Sequence, residues 1–325
     1  MSVIYMNIIK LSPKERYYCY DKIIGKGAFK KVYQAYDVKK GIYVAWNSVN
    51  LIHLNVSEKK SIQKELSNLI KIRNKHDNIL NIHSSWYEED KGELILITDL
   101  YLAGSLKTFI NNCPKLNIGV LKNWCKQILS GLSFLHENGI IHRDIKCDNI
   151  LINGINGNIV IGDFGVSGNI SDKEWASTMV GTPEFMAPEM FDGKYNYLSD
   201  IYSFGMMLLE LITRKYPYNE CNNVAQIWKN ISNQKKPELL EEVKNEQLKN
   251  LIIRCLSYDF SDRPEIVDLV NDNFFINEDN NDDYIIYETN QNNDKEIEDE
   301  IVKTLNQVIE LDENESDTLE SLKRT

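Results

Sequence analysis

The 325-residue chain has six cysteines and no Cys-x-x-Cys pair among them. Cys19, Cys113, Cys125, Cys147, Cys221 and Cys255 are scattered, so neither a zinc site nor a disulfide framework is expected, and a reducing cytoplasmic setting fits. No apolar run is long enough to span a bilayer. Residues 1–10 are apolar but lack a basic start and a small-residue cleavage site, so they read as a packed or frayed arm, not a leader. No internal repeat is visible. No basic stripe argues for nucleic acid. The net charge of −11 is also uneven. Residues 277–325 hold 16 of the 48 acidic and 4 of the 37 basic side chains, a balance of −12, and residues 1–276 stand at +1. The acidity belongs to the tail.

What is present centres on residues 140–165. His142-Arg143-Asp144-Ile145-Lys146-Cys147-Asp148-Asn149 is followed by two short apolar runs, 150–152 and 159–161, around Asn-Gly steps, and then by Asp163-Phe164-Gly165. The spacing of Asp144, Lys146, Asn149 and Asp163 resembles that of protein kinases. The resemblance implies that Asp144 accepts the proton of the attacking hydroxyl and Lys146 neutralises the transferring phosphoryl group. Asn149 and Asp163 would hold magnesium on ATP, a hard cation that takes one carboxylate and one amide oxygen readily.

The segment before it reads as a small β-rich lobe. Residues 20–24 and 30–36 are expected strands around Gly25-Lys26-Gly27-Ala28-Phe29, a glycine turn whose backbone N–H groups can lie over phosphates. Val32 follows at the place where kinases stack an apolar side chain on adenine. The strand at 42–49 contains Val44-Ala45-Trp46-Asn47, and at Asn47 kinases carry the lysine that contacts the α- and β-phosphates. Asn47 is neutral. Strand alternation places Lys30 on the same face as Val32, and Ala45 on that of Asn47, so Lys30 can bring a cation from the neighbouring strand, whereas Lys31 points away.

These features, with Phe29-Lys30 in the loop, resemble the with-no-lysine (WNK) kinase family, in which the glycine-loop lysine is the catalytic one. The resemblance continues through Trp124-Cys125-Lys126-Gln127-Ile128-Leu129, Gly181-Thr182-Pro183-Glu184-Phe185-Met186-Ala187-Pro188-Glu189 and Tyr216-Pro217-Tyr218-Asn219-Glu220-Cys221, and covers roughly residues 17–275. It implies an α+β, bilobal protein-kinase fold with a small β-rich N-lobe and a larger, mainly α-helical C-lobe. The expected division is an arm at 1–16, an N-lobe at 17–98, a hinge at 99–104, a C-lobe at 105–276 and a tail at 277–325.

Further roles follow from the resemblance. A helix expected over 57–74 carries Glu65, which would pair with Lys30. Thr98 falls at the gatekeeper position, and Asp99 to Tyr101 would meet adenine through the backbone. Lys146 and Thr182 mark the serine/threonine class. Thr178, with Ser177 beside it, takes the place of the activating phosphorylation site, with Arg143 as partner for the phosphate and Glu174 already charged at the second site. The family binds chloride against backbone N–H groups where Phe164 and Val166 stand, usually with leucine at the first place. Backbone donors survive a side-chain change, whereas the larger ring can fill the site, and both outcomes stay open.

Apolar positions 121, 124, 125, 128, 129, 132 and 135 recur at helical spacing, and residues 197–214 are apolar on nearly every side, a buried central helix. Asp200 within it would anchor the catalytic loop, and Arg263 would pair with Glu189. In the tail, Ile297, Ile301, Leu305 and Val308 make one helical stripe within 294–311, either a regulatory helix or a marginal one in an acidic linker. The reading is therefore a serine/threonine kinase using MgATP, with protein substrates that include a downstream kinase, with autophosphorylation and a transient dimer, and with a place in ion or osmotic signalling. The rivals are a pseudokinase that binds ATP as an allosteric scaffold and an interaction module.

Overall fold

The computed structural model describes residues 7–26, 30–52, 70–162, 168–169, 181–276 and 284–287. Residues up to Tyr284 form one compact unit, and 285–325 are a second, of which only 285–287 are described.

Among the described residues six antiparallel strands make the small lobe: β1 (Ile8–Leu11), β2 (Tyr17–Lys26), β3 (Lys30–Asp37), β4 (Ile42–Asn50), β5 (Ile82–Glu88) and β6 (Glu93–Asp99). Their order in the sheet is β1-β2-β3-β4-β6-β5. The sequence pattern already marks β2, β3 and β4 as strands. β1 lies in the arm and pairs with β2. The turn from β5 to β6 closes at Gly92, whose φ of 61° suits a residue without a Cβ.

The sheet curls. Lys10 of β1 reaches Glu93 of β6, Nζ to Oε2 2.8 Å, although three strands lie between them in the sheet order. Inside the curl Tyr17, Cys19, Ala35, Val44, Trp46, Ile95 and Ile97 are buried together. Trp86 of β5 packs edge-on against Trp46, with ring centroids 5.0 Å apart, and stacks on Tyr17. Burying side chains of this size contributes about 1.5–3 kcal/mol each. Because one face of each strand is committed to that interior, the alternate residues are left for the other face.

The large lobe is helical. Its principal elements are α1 (Leu106–Asn112), α2 (Ile118–Glu137), α3 (Pro188–Phe191), α4 (Tyr197–Thr213), α5 (Val224–Ser232) and α6 (Glu246–Cys255). Asn117 caps α2 by accepting from the Val120 N–H at 3.2 Å, and the helix stops before Gly139, at φ 73°. Asn196 caps α4, accepting from the N–H groups of Leu198 and Ser199. Every residue of α4 from Ser199 to Leu211 is buried, so this helix is the core of the lobe. It packs closely on α6 at Gly205, where a Cβ would lie 2.7 Å from that of Cys255. Among the described residues no helix is long and apolar enough to cross a membrane. Of the helix expected over 57–74 only 70–74 are described, helical through 72 and a turn at 73–74, and the tail stripe at 294–311 lies outside the described residues.

Candidate active site

The catalytic loop is held from beneath by one carboxylate. Asp200, fully buried on α4, accepts from the backbone N–H of Arg143 on Oδ1 at 2.8 Å and from that of His142 on Oδ2 at 2.9 Å. His136 Nε2 donates to the same Oδ2 at 2.8 Å. Burial alone would raise the Asp200 carboxyl, but the hydrogen bond and charge of His136, with the backbone donor of His142, hold it below the usual carboxylate range. His142 in turn donates from Nε2 to the Gly162 carbonyl at 2.9 Å. Arg143 takes a left-handed backbone, φ 71°, and its guanidinium lies 4.4 Å from the ring centre of Tyr195.

Above this anchor the expected polar residues converge. Asp144 is 8% exposed. Its Oδ2 accepts from Asn149 Nδ2 at 2.8 Å and faces Lys146 Nζ at 3.0 Å, while Oδ1 accepts the Thr182 N–H at 3.0 Å. Lys146 also donates to the Thr182 hydroxyl. The second Asn149 amide hydrogen goes to the Asp144 carbonyl at 2.7 Å. Both hydrogens face the loop, which leaves the amide oxygen, the end that suits a hard cation. Gly181 sits tightly beneath: a Cβ there would lie 2.8 Å from the Arg143 carbonyl oxygen, at a φ of 114°.

On the small lobe, register decides which side chains share a face. Val32 pairs with Asn47, Gln34 with Ala45 and Lys30 with Val49; Asn47 pairs with Leu96 and Ala45 with Thr98. Lys30, Val32, Ala45, Asn47 and Thr98 therefore stand on the face opposite the Trp46 core, and Lys31, paired with Ser48, stands on the other. Gly25 lies across from Val32. Asn47 is 6% exposed, and its amide donates to the Leu96 carbonyl and the Thr98 hydroxyl, each at 3.2 Å.

At the hinge, Asp99 Oδ1 accepts from His83 Nε2 at 2.6 Å, and the Thr98 hydroxyl donates to the Asp99 carbonyl at 3.2 Å. Burial, with Asp99 adding to it, pushes the Tyr101 phenol up to about 12. Gly27, Glu65, Asp163, Phe164, Val166, Glu174, Ser177 and Thr178 lie outside the described residues.

Two structural anchors were expected and are present. Arg263 meets Glu189 through both guanidinium Nη atoms at 2.7 Å, and the Ser199 hydroxyl adds a third bond to Glu189 at 2.8 Å. One was missed. Glu210, buried on α4, accepts the Cys147 N–H at 3.0 Å and the Lys107 ammonium at 2.7 Å. Its signal in the sequence is a lone carboxylate in an otherwise apolar stretch, which only a buried partner can sustain.

Comparison with known proteins agrees with this geometry. The family model described as "Protein kinase domain" matches residues 18–275. The serine/threonine-protein kinase WNK8 of Arabidopsis thaliana is 42% identical over 266 residues, 81% of this chain and 46% of that protein. The serine/threonine-protein kinase Wnk of Drosophila melanogaster is 39% identical over 82% of this chain and 11% of its own length. The serine/threonine-protein kinase WNK of Caenorhabditis elegans is 38% identical over 83% of this chain and 15% of its own. The chain thus spans about half or less of the curated relatives it matches. With a curled β lobe, a helical lobe and that match over most of its length, the chain belongs to the protein kinase family, and within it to the WNK kinases.

Proposed function

We propose that this protein transfers the γ-phosphoryl group of MgATP to serine or threonine hydroxyls of protein substrates. The observation that carries this is the fixed orientation of Asp144, held by Asn149, Lys146 and the Thr182 N–H. The hydroxyl oxygen forms its bond to the γ-phosphorus as the bond to the β,γ-bridging oxygen breaks and ADP leaves. Asp144 takes the hydroxyl proton, and Lys146 offsets charge on the transferring group. Asn149 would hold magnesium together with Asp163; when bound, the ion neutralises the phosphate oxygens. Thr182, bonded to both Asp144 and Lys146, supports a serine/threonine preference.

Lys30 supplies the cation that Asn47 lacks, contacting the α- and β-phosphates with Glu65 as its partner. The register supports this reading, because Lys30 shares the face of Val32 and Ala45. Glycines 25 and 27 lie over the phosphates, and the backbone of Asp99 to Tyr101 receives adenine. Phosphate on Thr178 or Ser177 orders the activation segment through Arg143, and backbone N–H groups at Phe164 and Val166 take chloride unless the Phe164 ring fills that site. By family resemblance the substrates include a downstream kinase in ion or osmotic signalling. Six free cysteines fit a reducing, cytoplasmic setting.

The test is steady-state transfer from MgATP to a generic Ser/Thr substrate by wild type, Lys30→Met and Lys31→Met at low and high chloride. Loss confined to Lys30→Met is expected. Equal rates in all three would move the cation elsewhere. A wild type that binds ATP without transfer would make the protein a pseudokinase. A fall in rate with chloride and not with another anion would show that the Phe164 ring has not closed the halide site; no such fall would show that it has.

A further inference from the structure

The position that lost its lysine is not idle. Asn47 sits where a phosphate-contacting cation is expected, but its amide turns along the sheet, not outward. One hydrogen reaches the carbonyl of Leu96, its directly paired residue, and the other the hydroxyl of Thr98, the diagonal neighbour on the same face. Thr98 thereby accepts from Asn47, so its own hydrogen is directed elsewhere, and it goes to the Asp99 carbonyl. The three groups form one directed chain: amide, hydroxyl, hinge carbonyl. A hydroxyl that both accepts and donates has its rotor fixed, and each bond in such a chain polarises the next. Asp99 is held on its other sides too. Its N–H donates to the Asn81 carbonyl at 3.2 Å, and its carboxylate accepts from His83.

We propose that Asn47 is a positioning residue for the base end of the nucleotide: through the Thr98 hydroxyl it fixes the hinge carbonyl of Asp99 that receives the exocyclic amine of adenine. The carbonyl has two lone pairs, one taken by Thr98 and one left for the amine. With the cation carried by Lys30, position 47 is left for a different task. Lys30 meets the phosphates, and Asn47 orients the gatekeeper and the hinge. A lysine at position 47 could not act in this way and also reach the phosphates, because one ammonium cannot lie along the sheet and project from it.

This rests on the nucleotide reading above, and the test separates the two. Equilibrium binding of adenosine, which has the base and no phosphate, is compared with that of MgATP for wild type, Asn47→Leu, Thr98→Val, the double variant and Lys30→Met. Asn47→Leu and Thr98→Val are expected to weaken adenosine and ATP by the same factor, about 3- to 10-fold, the size of one lost hydrogen bond. The double variant is expected to be no weaker than either single one, since both break the same chain. Lys30→Met is expected to weaken ATP and leave adenosine unchanged. If Asn47→Leu weakens ATP alone, or leaves both ligands unchanged, the proposal is overturned. Should Asn47→Leu fail to fold, Thr98→Val breaks the chain at its midpoint, and unchanged adenosine binding there overturns it equally. Binding needs no turnover, so absence of phosphate transfer would remove the activity proposed above while the adenosine comparison still decides the role of Asn47.

Discussion

The ammonium of Lys107 lies 2.7 Å from Oε1 of Glu210, a carboxylate with no exposed surface, whose other oxygen accepts the N–H of Cys147 in the catalytic loop. The pair joins α1 to α4 beneath the loop that carries Asp144, Lys146 and Asn149. Truncating one partner of such a pair leaves the other buried and uncompensated. Lys107→Met is expected to cost about 2 kcal/mol or more in urea denaturation, below the full buried-pair penalty because the Lys107 side chain is 15% exposed. Glu210→Gln is expected to cost less, since the amide oxygen still serves Cys147. Equal losses would mean that the ion pair contributes nothing beyond the hydrogen bond.

Acid should weaken the fold through three carboxylates. Burial would raise Asp37, Glu93 and Asp200, but their partners hold each below the usual carboxylate range: Arg16 on Asp37, Lys10 and Ser48 on Glu93, His136 on Asp200. A carboxyl whose native pKa lies below its unfolded value adds stability that is complete above the unfolded value. That stability is lost as pH falls below about 4 toward the native pKa. Urea midpoints are therefore expected to be flat from pH 7 to 5 and to fall steeply below about 4. Asp37→Asn is expected to make the acid fall shallower. An unchanged slope would remove Asp37 from the account.

Gly181 is expected to tolerate no side chain. In Gly181→Ala the new Cβ meets the Arg143 carbonyl oxygen at 2.8 Å, with φ at 114°. The contact is backbone, so the catalytic loop must move, at a cost of about 1–3 kcal/mol. Since Asp144 and Thr182 flank the contact, kcat is expected to fall at least about 10-fold with Tm only slightly lower. A normal kcat would show that the activation segment absorbs the shift.

The cysteines offer a check of the packing. Burial pushes the Cys19 and Cys255 thiols up to about 12 and raises those of Cys125 and Cys147 as well. Thiolates are the reactive form, so buried thiols react only on unfolding. In native protein at pH 7.5, alkylation followed by mass spectrometry is expected to modify Cys113 and Cys221, the two partly exposed ones, and to spare the other four. Labelling of Cys19 would mean that the curled sheet opens at its β1 edge.

Much of this is legible in the chain itself. Alternation over 30–36 and 42–49 places Lys30 with Val32 and Ala45 with Asn47, and the register agrees. Apolar spacing marks α2 and α4, and the order of Asp144, Lys146 and Asn149 marks the loop they share. Strand β1 was not legible. Its four residues have no turn signal of their own, and they become a strand because β2 offers an open edge and Glu93 a partner for Lys10. Glu210 was hidden for a similar reason: a carboxylate inside an apolar helix does not name its partner, and Lys107 is 103 residues away.

Asn47 marks the division most clearly. The sequence alone determined that the strand at 42–49 lacks a cation, that Lys30 stands on the matching face, and that loop residues at kinase-like spacing follow. Those are local facts, set by a two-residue strand period and by short spacings. Only the tertiary structure decided where the Asn47 amide goes. Pairing β4 with β6 brings Leu96 opposite and Thr98 diagonal to it, 49 and 51 residues along the chain. A buried amide must satisfy its hydrogens on whatever acceptors lie within reach, and register, not residue type, supplies them.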